Sequence, residues 1–363
     1  MKTATAAVLY EPKTPLKIEE VEYDDPRPGQ VLVKLMASGV CHSDWHVMKG
    51  EWPWIPLPTV LGHEGAGVVE AVDTDAEGVS VGDHVVLSWR NGCGACEMCQ
   101  QGFPALCDGP QMDPSACPTA PDGDRLNKMG GLGTFATYTV VPRGNVVVVD
   151  KDIPFAQASI LGCAVTTGIG AVINTARVKP GCSVAVFGCG GVGLNCIQGA
   201  ALAGANPVIA VDVLDDKLGR AGLFGATHTV NSSREDPVER IVEITGGHGA
   251  HYAFEAIGLS AEPFVQSILC TRKRGVTVFV GHAPDDLMVT MKANILMQEK
   301  SVMASMYGSA RPQVDIPRLA SLYKSGKLKL DEMVTREYPL ERINDAFEAL
   351  AGNEVARSVV LFN

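Results

Sequence analysis

The chain has 363 residues, 46% hydrophobic and 20% charged, which is enough for two domains with separate cores. Lysines and arginines number 30 against 41 acidic residues, and the net charge of −11 argues against nucleic acid or an anionic membrane as the main partner. No apolar run reaches about 18 residues, so no membrane span is expected. The N-terminus meets charge and proline too early for a secretory core, so the cytoplasm is the expected location. Eleven cysteines, an odd number without an export signal, point to metal ligation or buried thiols and not to a disulfide framework.

In chain order, residues 1 to about 150 carry short β-type runs at 31–36, 67–72, 84–87 and 146–149, with Pro-Gly at 28–29 and Gly-Asp at 82–83 as turns. A partly antiparallel, β-rich domain is predicted there. From about 165 the pattern alternates: strand 184–187, helix 192–202, strand 208–211, helix 217–224 and a late strand at 276–280. That alternation predicts a parallel doubly wound sheet, making the whole chain α/β. The end returns to helix at 316–324, helix at 343–352 and strand at 358–362.

Gly188, Gly190 and Gly193 form G-x-G-x-x-G between a predicted strand and helix, with Gly191 and Val192 inside the string. This context is the dinucleotide signature. The first glycine permits the tight turn, the second lets a pyrophosphate approach the backbone, and the third lets the helix pack closely. The helix N-terminus offers free N–H groups to the phosphates. Asp212 closes the next strand, where a carboxylate binds both ribose hydroxyls and repels a 2′-phosphate, so NAD is favoured over NADP. Lys217 is a further candidate contact to that ribose.

Cys93, Cys96, Cys99 and Cys107 stand as C-x2-C-x2-C-x7-C among glycines. Four thiolates at this spacing suit a closed tetrahedral zinc shell that staples a loop. An iron–sulfur cluster uses the same ligand type, and a redox C-x-x-C reading leaves two of the cysteines unexplained. Elsewhere Cys41, His63 and Cys163 are ligand types too far apart for spacing to assemble. Taken singly, a buried cysteine is most often a small apolar residue.

The strings CHSDWH at 41–46, GHEGAG at 62–67, the four-cysteine loop, LGCAVTTG at 161–168 and FGCGGVG at 187–193 occur in one order along the chain. Together with Asp212 and Arg357 they resemble the zinc-containing medium-chain alcohol dehydrogenases over essentially the whole length. The resemblance implies a GroES-like catalytic domain (1–163 and 306–363) around a Rossmann domain (164–305). It implies a catalytic zinc on Cys41, His63 and Cys163 with an open fourth position, and a structural zinc on the four-cysteine loop. Ser43 would accept the alcohol proton and pass it through the coenzyme ribose to His46 at the surface. Asp44 would orient His63, Glu64 would lie behind the zinc, and Arg357 near the coenzyme phosphates. His42 would face the pyrophosphate, and Thr167, Val192 and Val280 would line the coenzyme. A neutral histidine at 42 grips phosphate less than arginine does, so fast NADH release is expected. Trp89, Trp52, Trp54, His282 and Met306 are candidates for the substrate pocket.

The implied activity is reversible NAD-linked oxidation of primary or secondary alcohols, aromatic or bulky ones included. The rivals are oxidation of a hydroxymethyl-thiol adduct and a non-catalytic relative. A thiol carrier needs cations for its carboxylates, and residues 108–133 offer only Arg125 and Lys128. Relatives are dimers or tetramers paired through coenzyme-domain strands, and the long loop after Cys107 fits a dimer. Asp73 departs from the small residue usual there, and a rebuilt, left-handed turn is expected. The segment 41–46 is read as a turn.

Overall fold

The computed structural model describes residues 1–74, 76–352 and 356–362. The chain divides into two compact units, Met1–Cys163 with Arg311–Asn363, and Ala164–Ala310.

Among the described residues the first unit holds a four-stranded and a seven-stranded sheet. Alternating apolar residues in Gln30–Gly39 and Glu64–Val72 form the centre of the larger sheet. They pair antiparallel, with Gly39 opposite Glu64. The closing strand Arg357–Leu361 pairs antiparallel with the other edge of Gln30–Gly39, Val359 opposite Gly39. One core lies between these strands and the helix Ile343–Ala351, built on Leu35, Leu61, Leu87, Phe135 and Phe347. These three strands deliver residues 39–41, 63–64 and 357 to one place.

The second unit carries a six-stranded parallel sheet. Its strand order is His228–Asn231, Val208–Asp212, Val184–Phe187, Ala250–Glu255, Thr271–Phe279, Ser301–Ala304. In order of appearance this reads 3-2-1-4-5-6, the doubly wound arrangement that reverses between the first and fourth strands. The short β-branched runs Val184–Phe187 and Val208–Asp212 are wholly buried, as strands covered on both faces must be.

Two local expectations need correction. Residues 42–49 are not a turn but a helix, His42–Lys49, stopped by Gly50 in the left-handed conformation. Asp73 does not have positive φ. Its carboxylate instead accepts from the Thr74 N–H at 2.5 Å and hydroxyl at 2.8 Å, a local closure that aspartate supplies with its side chain. The stretch Phe155–Thr175 is a 21-residue helical run long and apolar enough to cross a membrane, although its polar residues break the apolar string in the sequence. Its apolar window is 89% buried within the protein, which makes it a core helix.

Candidate metal and coenzyme sites

The four-cysteine loop is built by its own backbone. The N–H groups of Cys93 and Gly109 donate to Cys107 Sγ, both at 3.3 Å. Cys96 N–H donates to Cys93 Sγ at 3.3 Å and Cys99 N–H to Cys96 Sγ at 3.4 Å. The four sulfurs lie within 4.8 Å of one another. A Cβ at Gly109 would stand 2.9 Å from Cys93 Cβ and 3.3 Å from Cys107 Sγ, so glycine there allows the ring of sulfurs to close. Backbone hydrogen bonding brings the Cys96 thiol down to about 6 and, outweighing burial, lowers Cys107, whereas burial pushes Cys99 up to about 12. Convergent, N–H-supported thiols fit a tetrahedral metal, with no disulfide competing.

A second cluster joins Cys41, His63, Glu64 and Cys163, all buried, with one ligand atom of each within 4.8 Å of the others. Cys41 follows the strand Gln30–Gly39 as the N-cap of the helix His42–Lys49. His63 and Glu64 stand at the start of the neighbouring strand. Cys163 lies in a π-helical turn, Leu161–Val165, a one-residue irregularity common at functional sites. Gly162 permits this placement, since its Cβ would come 2.6 Å from the Leu87 carbonyl oxygen. His63 Nε2 is buried without a hydrogen-bond partner. Its Nδ1 sits 3.1 Å from Asp44 Oδ2, at ion-pair distance though not aligned for a hydrogen bond. Asp44 Oδ1 in turn accepts the Gly62 N–H at 2.8 Å. A buried, unpartnered imidazole nitrogen facing two thiols fits a metal cation.

The electrostatics agree. The bond from Cys163, which outweighs burial, and the charges of Arg357 and His63 hold the Cys41 thiol well below its usual range. Burial pulls the His63 imidazole down, but Asp44 and Cys41 outweigh it and hold it well above its usual value. The Cys163 thiol shifts the other way from Cys41, held well above its usual range by the same bond and by burial. A divalent ion would therefore bind here by displacing protons from the thiol and the imidazole.

Glu64 forms a buried ion pair with Arg357, whose guanidinium also donates to the Val40 carbonyl at 3.2 Å. Burial pushes Glu64 up to about 7 against the pull of that arginine. Arg357 is thus buried and paired beside the cysteine–histidine cluster. A Cβ at residue 39 would fall 2.0 Å from Glu64 Oε2, so Gly39 exists to admit this carboxylate. No sequence signal marked it.

Ser43 and His46 lie three apart on the helix His42–Lys49, hence on one face. His46, expected at the surface, is only 4% exposed. Trp52 covers it, with ring centroids 5.0 Å apart and planes at 13°. His46 Nδ1 meets Glu51 Oε2 at 2.5 Å, a partner the sequence reading missed. His42 lies exposed on the first turn.

In the second unit, Gly188 has φ of 92°, and a Cβ on it would meet Ile257 Cγ1 at 2.6 Å. A Cβ on Gly193 would overlap the Gly188 carbonyl oxygen at 1.7 Å. Space around Gly190 is open, at the N-terminus of the helix Gly191–Leu202, which also holds Val192. The Asp212 carboxylate is fixed by N–H groups of Cys189 and Val213 at 2.8 Å and of Leu214 at 3.1 Å. Lys217 lies in the first turn of the next helix, Asp215–Ala221. Thr167 Oγ1 is buried without a hydrogen-bond partner. Val280 donates its N–H to the Glu255 carbonyl at 2.8 Å. These features fit a dinucleotide.

The alcohol dehydrogenase GroES-like domain family matches residues 27–151, and the zinc-binding dehydrogenase family matches 191–325. Alcohol dehydrogenase B of Mycobacterium tuberculosis is 37% identical, with 100% of this chain and 99% of that protein covered. The chain belongs to the zinc-containing medium-chain alcohol dehydrogenases. The S-(hydroxymethyl)glutathione dehydrogenase of Paracoccus denitrificans is also 37% identical, covering 98% of this chain and 99% of the relative. The crystal structure of benzyl alcohol dehydrogenase from Acinetobacter calcoaceticus superposes with a TM-score of 0.93 at 34% identity, covering 100% of each chain. As a zinc-containing medium-chain dehydrogenase the protein is an oxidoreductase, and its family implies zinc and NAD(P).

The candidate pocket residues of this dehydrogenase fall in different settings. Trp89 packs edge-on to the His63 ring, centroids 6.5 Å apart. Trp52 is a core residue, stacked between His46 and the half-exposed Trp54. His282 and Met306 belong to the second unit, His282 exposed and Met306 half-buried.

Proposed function

We propose that the protein reversibly oxidises primary or secondary alcohols to aldehydes or ketones with NAD, holding one catalytic and one structural zinc per chain. The observation that carries this reading is the buried meeting of Cys41, His63 and Cys163, with His63 Nε2 unpartnered. Bound there, zinc supplies Lewis acidity to an alcohol oxygen, and the nicotinamide supplies the hydride acceptor. Asp44 holds the His63 ring at its far nitrogen, and Glu64 with Arg357 forms a charged floor behind the ligands. Ser43 accepts the alcohol proton, and His46, one helical turn on, takes it up. Thr167 offers its hydroxyl to the nicotinamide, and His42 faces the pyrophosphate. The experiment is NAD reduction over a panel of alcohols alongside a zinc count, and no alcohol-dependent NADH would refute it.

Asp212 supports NAD over NADP, because three N–H donors keep its carboxylate in place as a fixed negative charge. Asp212→Gly is expected to raise kcat/KM with NADP at least about tenfold and to lower it with NAD by about 10- to 100-fold, the worth of a charged hydrogen bond. Steady-state kinetics with both coenzymes checks this, and an unchanged NAD/NADP ratio would contradict it.

Trp89 beside His63 favours an aromatic or bulky substrate, whose ring can pack on the indole. A thiol-adduct substrate is disfavoured because both cations of the 108–133 loop are engaged. Arg125 bonds the Cys117 carbonyl and Asp24, and Lys128 is buried on the Val140 carbonyl. S-Hydroxymethylglutathione belongs in the panel, and a kcat/KM above that of every simple alcohol would reverse the preference. Eleven unbridged cysteines agree with a reducing, cytoplasmic location.

A homo-oligomer, dimer or tetramer, forms through the edge strand Ser301–Ala304, whose residues are all exposed and include Val302 and Met303. An open apolar edge invites pairing with a second copy. Met303→Lys is expected to shift the mass found by light scattering towards monomer. A monomeric wild-type protein would contradict this.

A further inference from the structure

His46 is placed differently from a simple surface base. Its ring is nearly buried, one face is covered by Trp52, and Nδ1 is taken by Glu51. Glu51 also receives Lys49 Nζ at 2.5 Å on its other oxygen, Oε1. Each carboxylate oxygen therefore has one cationic or N–H partner. Burial alone would raise this carboxyl, but Lys49 and His46 outweigh it and hold Glu51 below the usual range. An ionised carboxylate has only acceptor capacity, so the proton between the two groups belongs to Nδ1.

We infer that Glu51 is a positioning residue of the proton relay, fixing His46 with its hydrogen on Nδ1 and its lone pair on Nε2. The inference rests on the proposed alcohol oxidation. In that direction Nε2 gains the proton released through Ser43, and the resulting imidazolium is held beside the Glu51 carboxylate. The Nε2 proton then leaves to a base in solution while Nδ1–H stays on the Glu51 carboxylate, so the starting tautomer is restored for the next turnover. No bond other than N–H and O–H is made or broken, and the imidazole returns to its starting charge. Without the carboxylate, the opposite tautomer places a hydrogen on Nε2, where it blocks uptake. The arrangement parallels the acid–histidine part of a hydrolase triad, in which a wrong tautomer is costly.

A structural role is the competing explanation, since Glu51 N–H also bonds the His46 carbonyl at 2.9 Å and closes the helix end. Glu51→Gln separates the two, because the amide keeps size and hydrogen bonding and loses the charge and the acceptor-only character. For Glu51→Gln, kcat for alcohol oxidation is expected to fall roughly 10- to 100-fold, below the loss of a whole acid–base group. The KM for NAD and the melting temperature should stay as in wild type. Added imidazole buffer should restore the Gln variant's turnover in a concentration-dependent way while leaving wild type unaffected, and Glu51→Asp should recover part of kcat. A Gln variant with wild-type kcat, or with a loss that buffer does not restore, would overturn the inference. Absence of alcohol oxidation in the wild-type protein would instead defeat the activity on which it rests.

Discussion

Cys163→Ala is expected to lower alcohol-dependent NAD reduction at least a thousandfold and to leave one zinc per chain where wild type has two. Removing a single oriented donor from a catalytic site typically costs about 10²–10³, and losing the Lewis acid removes more than one donor's worth. The size of the effect follows from placement. Cys163 is buried, its backbone is set by the π-helical turn Leu161–Val165, and Gly162 holds that turn against the Leu87 carbonyl. Among the described residues no other cysteine belongs to the cluster that holds Cys41 and His63. Alanine is smaller and apolar, so the helix should fold around it. The Gly188–Gly193 turn and Asp212 belong to the other unit, and NAD binding measured by calorimetry should be retained. A variant that keeps two zincs and turns over within tenfold of wild type would contradict the ligand assignment.

The second large effect is on stability. Cys96→Ser is expected to lower the melting temperature by about 10 °C or more and to leave only the catalytic zinc. Structural zinc sites contribute folding free energy directly, about 10–16 kcal/mol in small peptides that have little else. Here the loop is anchored at both ends by the first unit, so only part of that is lost. Each kcal/mol is worth about 2–4 °C in a domain of this size. Cys96 is a demanding position because it caps the short helix Glu97–Gln100 and accepts the Cys99 N–H as well as offering a ligand. At low temperature the variant should retain much of its turnover, since Cys41, His63 and Cys163 belong to a separate cluster. Unchanged melting and two retained zincs would show that the loop holds no metal.

How much of this was legible in the sequence depends on whether the signal is local. Among the turn glycines, Gly188 answers to the distant Ile257 and was read from its place between strand and helix. Gly193 was readable because it is demanded by atoms a few residues away, its Cβ overlapping the Gly188 carbonyl. The four-cysteine loop was readable for the same reason, since its sulfurs are gathered by N–H groups two or three residues off. The catalytic cluster was not readable from spacing. Residues 41, 63 and 163 meet because two strands pair with Gly39 opposite Glu64 and a distant helix packs against them. Only the family resemblance joined them. Arg357 shows the same limit, because its destination depends on where the last strand lands, Val359 opposite Gly39. His46 was placed at the surface by the family resemblance alone. Trp52, folding back over the ring, buries it and leaves Glu51 at its edge.

Metal content and turnover of the wild-type protein test the zinc-dependent alcohol oxidation most directly. Zinc per chain is counted, and NADH formation is followed with benzyl alcohol, simple aliphatic alcohols and S-hydroxymethylglutathione. Two zincs per chain and alcohol-dependent NADH formation are expected, the latter lost when a chelator removes the zinc at Cys41, His63 and Cys163 and regained when zinc is restored. Alcohol oxidation that persists after that zinc has gone, or no oxidation of any alcohol with both zincs bound, would contradict that expectation.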